Sequence, residues 1–249
     1  MGMVKCDVSD AMIKRRTHMR FEDFDNFTSG GLWTTTTAGS GAASVGNTQW
    51  GQINLLPTDN TTNREVYVAT TNALFLIKNN INLVAECYLQ FSEAATNKAN
   101  IAFGFMSSVG AASMADTTGE PKASFSGAVI YKVPGATVWK CASSVGTGLV
   151  GPTISTKTAG GTSFQALRIE IHPVSTTIAE VTYYVNDIQL LQTTGRPGQN
   201  LIKDQLTYTS AAAMQLFVMC KNGQASAESL FVDYIAWSQL RAPLYVSPP

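Results

Sequence analysis

The stretch "NLVAECYLQF" (residues 82–91) sets Leu83, Ala85, Cys87, Leu89 and Phe91 on one side of an extended chain, and Asn82, Glu86 and Gln90 on the other. Alternation with period two marks a strand with one buried face, because successive side chains of an extended backbone point in opposite directions. A helix would scatter the same five apolar residues around its circumference. "QALRIEIH" (165–172) repeats the pattern, turning Leu167, Ile169 and Ile171 inward and Arg168, Glu170 and His172 outward. "MQLFVMCK" (214–221) and "LFVDYIAW" (230–237) carry apolar residues on parts of both faces.

Between these runs lie strong chain breakers: "TTTTAGSGAAS" (34–44), "PTDNTTN" (57–63), "GTGLVGPT" (146–153), "TAGGTS" (158–163) and "TGRPGQN" (194–200). "VTYYVNDIQLLQ" (181–192) reads as a tight hairpin with Asn186-Asp187 at its tip, since both residues tolerate the left-handed dihedrals of a two-residue turn. About a dozen strands at this spacing predict an all-β, two-sheet antiparallel jelly-roll sandwich. The only helical candidates are a short piece near 8–16 and a turn around 109–116.

The chain has 249 residues, enough for one sandwich that stands without disulfide staples. Charged residues make up 14% and the net charge is zero, so the molecule as a whole advertises neither nucleic acid nor membrane. No window is long and apolar enough to span a bilayer, and no signal peptide is read at the N-terminus. The surface is expected to be neutral and hydroxyl-rich, which favours association. None of Cys6, Cys87, Cys141 and Cys220 stands in a C-x-x-C pair or near a histidine. No zinc site is therefore expected, and four free thiols are read, suited to a reducing cytosol.

Chemistry-bearing patterns are sparse. The densest acidic cluster, Glu22, Asp23 and Asp25, alternates with Phe21, Phe24 and Phe27. Glu86, Glu170, Asp187 and Asp233 are isolated in sequence, and no strand carries paired carboxylates at hydrolase spacing. His18 and His172 have no nucleophile elbow to serve, so no catalytic residue is assigned. Gly146-x-Gly148-x-x-Gly151 matches a dinucleotide fingerprint formally, but Pro152 follows where the phosphate-binding helix would start. Asp59, Asn60 and Asn63 form the best loop for a calcium ion, yet turns favour these residues for conformational reasons alone. No cofactor and no metal are expected.

The two ends differ from the middle. Residues 1–20 hold Lys5, Lys14, Arg15, Arg16 and Arg20 against Asp7 and Asp10, a local charge of +3. Such an arm suits three roles: docking on an acidic protein surface, a solvated tail, or a nucleic-acid contact. Docking is preferred, because Arg15, Arg16 and Arg20 can fork onto carboxylates, whereas the acidic run that follows breaks any continuing basic surface. The tail "RAPLYVSPP" (241–249) holds three prolines in nine residues and reads as an extended strap. The expected organisation is a basic arm at 1–20, a sandwich at 21–241 and a Pro-rich strap at 242–249.

"FEDFDNF…LWTTTTAGSGAAS", with Phe24 and Trp33, the hairpin Tyr184-Val185-Asn186-Asp187 and the closing strand with Asp233-Tyr234 and Trp237 together resemble the concanavalin A-like (laminin G-like) jelly roll. More narrowly they look like the small structural proteins of tailed bacteriophages that carry this fold. The resemblance covers residues 21–241. It implies a non-enzymatic virion protein, of the capsid decoration or cement type, made in the host cytoplasm and displayed on the capsid surface. Its partners would be the major capsid protein or other virion proteins, and copies of itself as a trimer or dimer. Lys14, Arg15, Arg16 and Arg20 are then the capsid-docking residues; Pro243, Leu244, Tyr245 and Val246 form the strap on a neighbouring subunit. The alternative is a carbohydrate-binding module of a tail or fibre, stacking glycans on Trp33, Trp50, Trp139 or Tyr131. A glycoside hydrolase is disfavoured by the missing carboxylate pair, and neither membrane nor nucleic-acid partners are expected.

Overall fold

The computed structural model describes residues 17–46, 51–146, 148–160, 163–194, 200–208 and 212–240. Among them run sixteen strands and no helix. They are β1 (Thr17–Glu22), β2 (Trp33–Ala38), β3 (Ala42–Val45), β4 (Ile53–Leu56) and β5 (Glu65–Thr70). Next come β6 (Leu83–Ser92), β7 (Ala99–Met106), β8 (Phe125–Lys132), β9 (Val138–Gly146) and β10 (Gly148–Thr158). The rest are β11 (Gln165–Pro173), β12 (Ile178–Val185), β13 (Ile188–Gln189), β14 (Lys203–Thr207), β15 (Gln215–Asn222) and β16 (Ser229–Leu240).

The strands form two antiparallel sheets. One has nine strands, ordered β13-β12-β11-β6-β16-β4-β3, with β14 added beside β12 and β1 beside β16. The other has seven, ordered β10-β9-β8-β7-β15-β5-β2. The alternation read from the sequence is the burial observed: Leu83, Ala85, Cys87, Leu89 and Phe91 all face the core, as do Leu167, Ile169 and Ile171. These residues meet Ile101, Phe103, Phe105, Ile130 and Val218 of the opposite sheet, forming the main core. The hairpin at Asn186-Asp187 has φ of 52° and 62°, the left-handed pair a two-residue turn demands.

Strands β5, β7 and β8 are buried on both faces, and β15 nearly so. Their outer side carries a second apolar cluster: Tyr67, Ala102, Val129, Tyr131, Phe217 and Met219. The segment 107–124 lies over this cluster and plugs it with Met114, which is fully buried. That segment contains turns but no helix. Its cover is tied down by Lys221, which sits 3.2 Å from Glu65 and 2.5 Å from Asp116 and donates to the Met114 carbonyl at 2.9 Å. Over its middle strands the outer side of the seven-stranded sheet is thus a second core rather than an open surface, while at its edges β2 stays partly and β10 largely exposed.

Backbone contact between β7 and β8 is close enough to require glycine at two points, Gly104 and Gly127. Gly127 has φ of 145°, and a Cβ there would lie 1.9 Å from the Phe105 carbonyl oxygen. Gly127→Ala is expected to cost at least about 2 kcal/mol, through lost ladder geometry and strain in a fully packed layer. Chemical denaturation of the variant checks this.

The basic arm was drawn to residue 20, but Thr17–Glu22 is a strand, pairing Thr17 with Leu240 through to Glu22 with Ile235. The sandwich therefore starts at Thr17, because Met19 and Phe21 alternate with His18 and Arg20 just as strand residues do. Lys14, Arg15 and Arg16 lie outside the described residues, as do the predicted helical piece at 8–16 and the strap residues Pro243, Leu244, Tyr245 and Val246. Cys87, Cys141 and Cys220 are free and buried; Cys6 is outside the described residues.

Candidate functional site

The Gly146–Gly151 stretch lies on the β9–β10 hairpin, and the ladder is interrupted between Val150 and Thr153, around Pro152. No helix follows it, so a phosphate would meet no helix terminus there. The Asp59 loop spends its oxygens internally. The Asp59 carboxylate pairs with Arg64 at 2.9 Å and accepts from the Ser40 amide at 3.3 Å. Its carbonyl accepts from the Asn222 amide at 2.8 Å. Among the described residues no group of three or more His, Cys, Asp or Glu side chains gathers at metal-binding distances. His172 is exposed, with Nδ1 2.6 Å from Asn82 Oδ1.

What the fold does assemble is the outer face of the nine-stranded sheet. Register places Phe21 beside Ala236, Ala236 beside Glu86, Glu86 beside Arg168 and Arg168 beside Tyr184. Three carboxylates that are distant in sequence converge on Arg168. Glu170 lies 3.0 Å and Glu86 3.5 Å from its guanidinium, and Asp187 accepts a short hydrogen bond from it. The guanidinium also stacks on Tyr184 at 4.4 Å. Burial works against the charge, but these carboxylates outweigh it and hold the Arg168 pKa above the ordinary range. Tyr234 donates its hydroxyl to Glu86 at 2.6 Å; burial first, and this carboxylate second, push its pKa above the ordinary tyrosine range.

Beside the charges runs a row of aromatic rings. Phe21 lies 5.0 Å from Tyr234, Tyr234 5.6 Å from Tyr88, and Tyr88 5.0 Å from Phe164, at interplanar angles of 25–31°. Rings so spaced lean on one another across adjacent strands, which are themselves about 4.8 Å apart. The end ring, Phe21, is 61% exposed, and its neighbour Met19 is 64% exposed. Together these residues flank a trough of about 440 Å³ along β16. Small residues, Ala236 and Ser238, floor it; Met19 and Phe21 form one wall, and Val84, Glu86 and Arg168 the other.

A knot of aromatic side chains closes the same corner from inside. Trp237 packs edge-on against Trp33 and Phe75, each at 5.9 Å, and Phe24 lies 5.7 Å from Trp33. His18 stacks on Phe75 at 6.2 Å. Arg20, the one predicted docking residue that is described, is half exposed and pairs with Glu22 at 2.9 Å. Glu22 in turn accepts from the Trp33 indole at 3.3 Å. Arg20 thus already has a partner within its own strand.

The aromatic platforms expected for a glycan are corrected. Trp33, Trp139 and Tyr131 are buried: the two tryptophans face the core between the sheets, and Tyr131 lies in the second cluster beneath the segment 107–124; Trp50 lies outside the described residues. On the outer face of the nine-stranded sheet, rings that do reach the surface include Phe21, Tyr88, Phe164, Tyr184 and Tyr234. Their signal was legible as aromatics in the outward phase of the same alternation.

Removing the guanidinium should leave three carboxylates facing one another. Arg168→Met is expected to destabilise by about 1–2 kcal/mol at neutral pH, a value discounted because the cluster is partly exposed. Thermal melts of parent and variant at pH 7 test it.

The sequence matches no protein-family model and no curated protein. Solved structures do match. A protein of unknown function from Shewanella oneidensis MR-1 aligns over 100% of this chain and 99% of its own, with TM-score 0.58 and 14% identity. The Emp47p carbohydrate recognition domain aligns over 88% of this chain and 93% of its own, with TM-score 0.57 and 11% identity. An endo-1,3-beta-glucanase from Streptomyces sioyaensis aligns over 91% and 97%, with TM-score 0.55 and 13% identity. At such identities the likeness concerns architecture, and on that ground the chain is a concanavalin A-like, lectin-type jelly-roll sandwich.

Proposed function

We propose that this is a non-enzymatic structural protein of a virion, a decoration (cement) protein on the capsid surface of a tailed bacteriophage. The observation that carries the reading is the pairing of Thr17 with Leu240. The basic segment 1–16 and the Pro-rich segment 241–249 start side by side from one corner of a rigid body, next to the exposed Met19 and Phe21. Two tethers at one end suit a module that bridges seams between shell subunits, where many weak contacts add through avidity. The non-enzymatic reading is supported by Arg168, which engages the carboxylates that the fold gathers on this face. A hydrolase needs one carboxyl group free to give a proton and another free to attack or activate water.

The test is a chain lacking residues 1–16, cut before β1 so that the sandwich keeps all its strands. It should fold with an unchanged circular dichroism spectrum and no longer co-sediment with capsids. Full occupancy on capsids would overturn the docking role of Lys14, Arg15 and Arg16.

A second reading is favoured by the ring row Phe21–Tyr234–Tyr88–Phe164 together with the lectin-type fold: a carbohydrate-binding module of a tail or fibre. It predicts saturable binding on a glycan array, weakened at least about tenfold by Tyr88→Ala, since a stacked ring contributes of the order of 1–2 kcal/mol. A blank array removes it.

A further inference from the structure

We propose that the trough along β16 is the seat of the C-terminal segment 241–249 of a second copy of this chain, with Leu244, Tyr245 and Val246 lying over Ala236 and Ser238. The inference rests on the structural-protein reading for the presence of a neighbour, and adds which surface that neighbour grips. Three observations select this occupant.

The trough has the shape and chemistry of a strand-sized groove. It follows β16, its floor is two small side chains, and one wall is Met19 and Phe21, more than half exposed on the sheet's edge strand. An apolar wall left in water at a sheet edge gains free energy when a side chain covers it. The segment "RAPLYVSPP" supplies three consecutive apolar residues between Pro243 and Pro248. Prolines bias the chain toward an extended form in advance, so less conformational freedom is lost on seating.

Charge is also complementary. Glu86, Glu170 and Asp187 against Arg168 leave a surplus of two negative charges beside the trough. The only charged side chain of the segment is Arg241.

A trough on another copy asks less of the segment than the chain's own. Leu240 stands two residues past Ser238, so the segment would have to reverse at once. A turn with Pro243 in its second position brings Tyr245 back beside Ala242 and Val246 beside Arg241, both still short of Leu240. An earlier turn would put Ala242 in the third position, directly before a proline, where the helical dihedrals of that position are disfavoured. Seating in a trough on another copy needs no such reversal and gives either a reciprocal pair or a closed ring.

The test uses three full-length or minimally changed chains in light scattering: the intact chain, a chain ending at Leu240, and Ala236→Arg, which fills the floor. The intact chain should show a multiple of the protomer mass, and both variants one protomer mass with an unchanged circular dichroism spectrum. In a Cys6→Ser background, mixing a Leu244→Cys copy with a Ser238→Cys copy should give an interchain disulfide. The proposal is overturned if the intact chain is a single protomer, if the truncated chain keeps the intact mass, or if one doubly substituted chain closes the disulfide on itself. If the copies assemble through strap and trough but the assembly ignores capsids, the virion reading fails and this one stands. If truncated and intact chains both decorate capsids and share one mass, this one fails and the virion reading stands.

Discussion

Lys221→Met is expected to cost about 3–5 kcal/mol, because it strands a buried carboxylate. Lys221 and Glu65 are each 1% exposed, and the ammonium is the cation facing both Glu65 and Asp116. Glu65 also accepts from the Ala112 amide at 2.5 Å and the Tyr67 hydroxyl at 3.0 Å. Burial first, and Glu65 second, push the Tyr67 pKa far above its ordinary range, so this hydroxyl stays a donor at any physiological pH. Without the ammonium, Glu65 keeps its two hydrogen bonds but loses its countercharge in a dry setting. The segment 107–124 loses the bond to the Met114 carbonyl that pins it over the second core. Urea denaturation should therefore show a lowered midpoint, and amides at 112–116 should exchange hydrogen sooner than those of β7. The double variant Glu65→Gln/Lys221→Met should recover at least half of the loss, since no uncompensated buried charge remains and Asp116, half exposed, is solvated. A single variant within 0.5 kcal/mol of the parent would mean that the ion cluster is not what holds the cover.

That cluster also marks where reading the sequence stops. Period-two alternation identified β6, β11 and the β12–β13 hairpin because each has one dry and one wet face, so apolar and polar residues sort by parity. Strand β15 offered no such sorting. Its Lys221 ends an apolar run and looks like a solvated strand end, yet the segment 107–124 folds over it and buries it. Nothing local in "SSVGAASMADTTGEPKAS" announces that cover, because its partners Glu65, Tyr67 and Lys221 lie 40 to 110 residues away. The Arg168 cluster was half legible. Glu86, Glu170 and Asp187 were each recognisable as outward-facing or turn carboxylates; only the register β6-β11-β12 brings them to one guanidinium. The glycan platforms went wrong for two reasons: Trp33 and Trp139 face the space between the sheets, whereas Tyr131 points outward and is buried by the segment 107–124; parity picks out Tyr88 and Tyr184, and Tyr234 faces out only past the register shift after Val232. At the N-terminus, composition set the arm's boundary at residue 20, while the pairing of β1 with β16 moves it to 16.

The two faces of the molecule thus divide its work. Among the described residues, one sheet hides the outer side of its middle strands beneath a pinned segment; the other leaves its outer side open, with rings, a charge cluster and a trough near Thr17 and Leu240.

Between the sheets lies a group whose protonation should be visible in stability. Asp204 is in phase with Ile202, Leu206 and Tyr208, so its carboxyl points into the core, where Ser143 and Tyr183 each donate a hydroxyl to it at 2.7 Å. Burial raises its pKa, while the two hydroxyl donors pull partly the other way. The sign follows from linkage. An acid with a raised pKa in the folded state binds more proton there than in the unfolded chain, so stability is greatest below the ordinary aspartate range. It declines as pH rises from that range through the raised value, and is flat above it. Asp204→Asn keeps an acceptor for both hydroxyls and carries no charge, so the slope attributable to this group should vanish and stability at pH 7 should stay within about 1 kcal/mol of the parent. Asp204→Ala instead leaves Ser143 and Tyr183 without their acceptor beside a new void, and should cost about 2–4 kcal/mol at every pH. Urea midpoints of the three proteins from pH 4 to pH 8 decide the matter: parallel curves for parent and Asp204→Asn would mean that Asp204 titrates as it does in the unfolded chain.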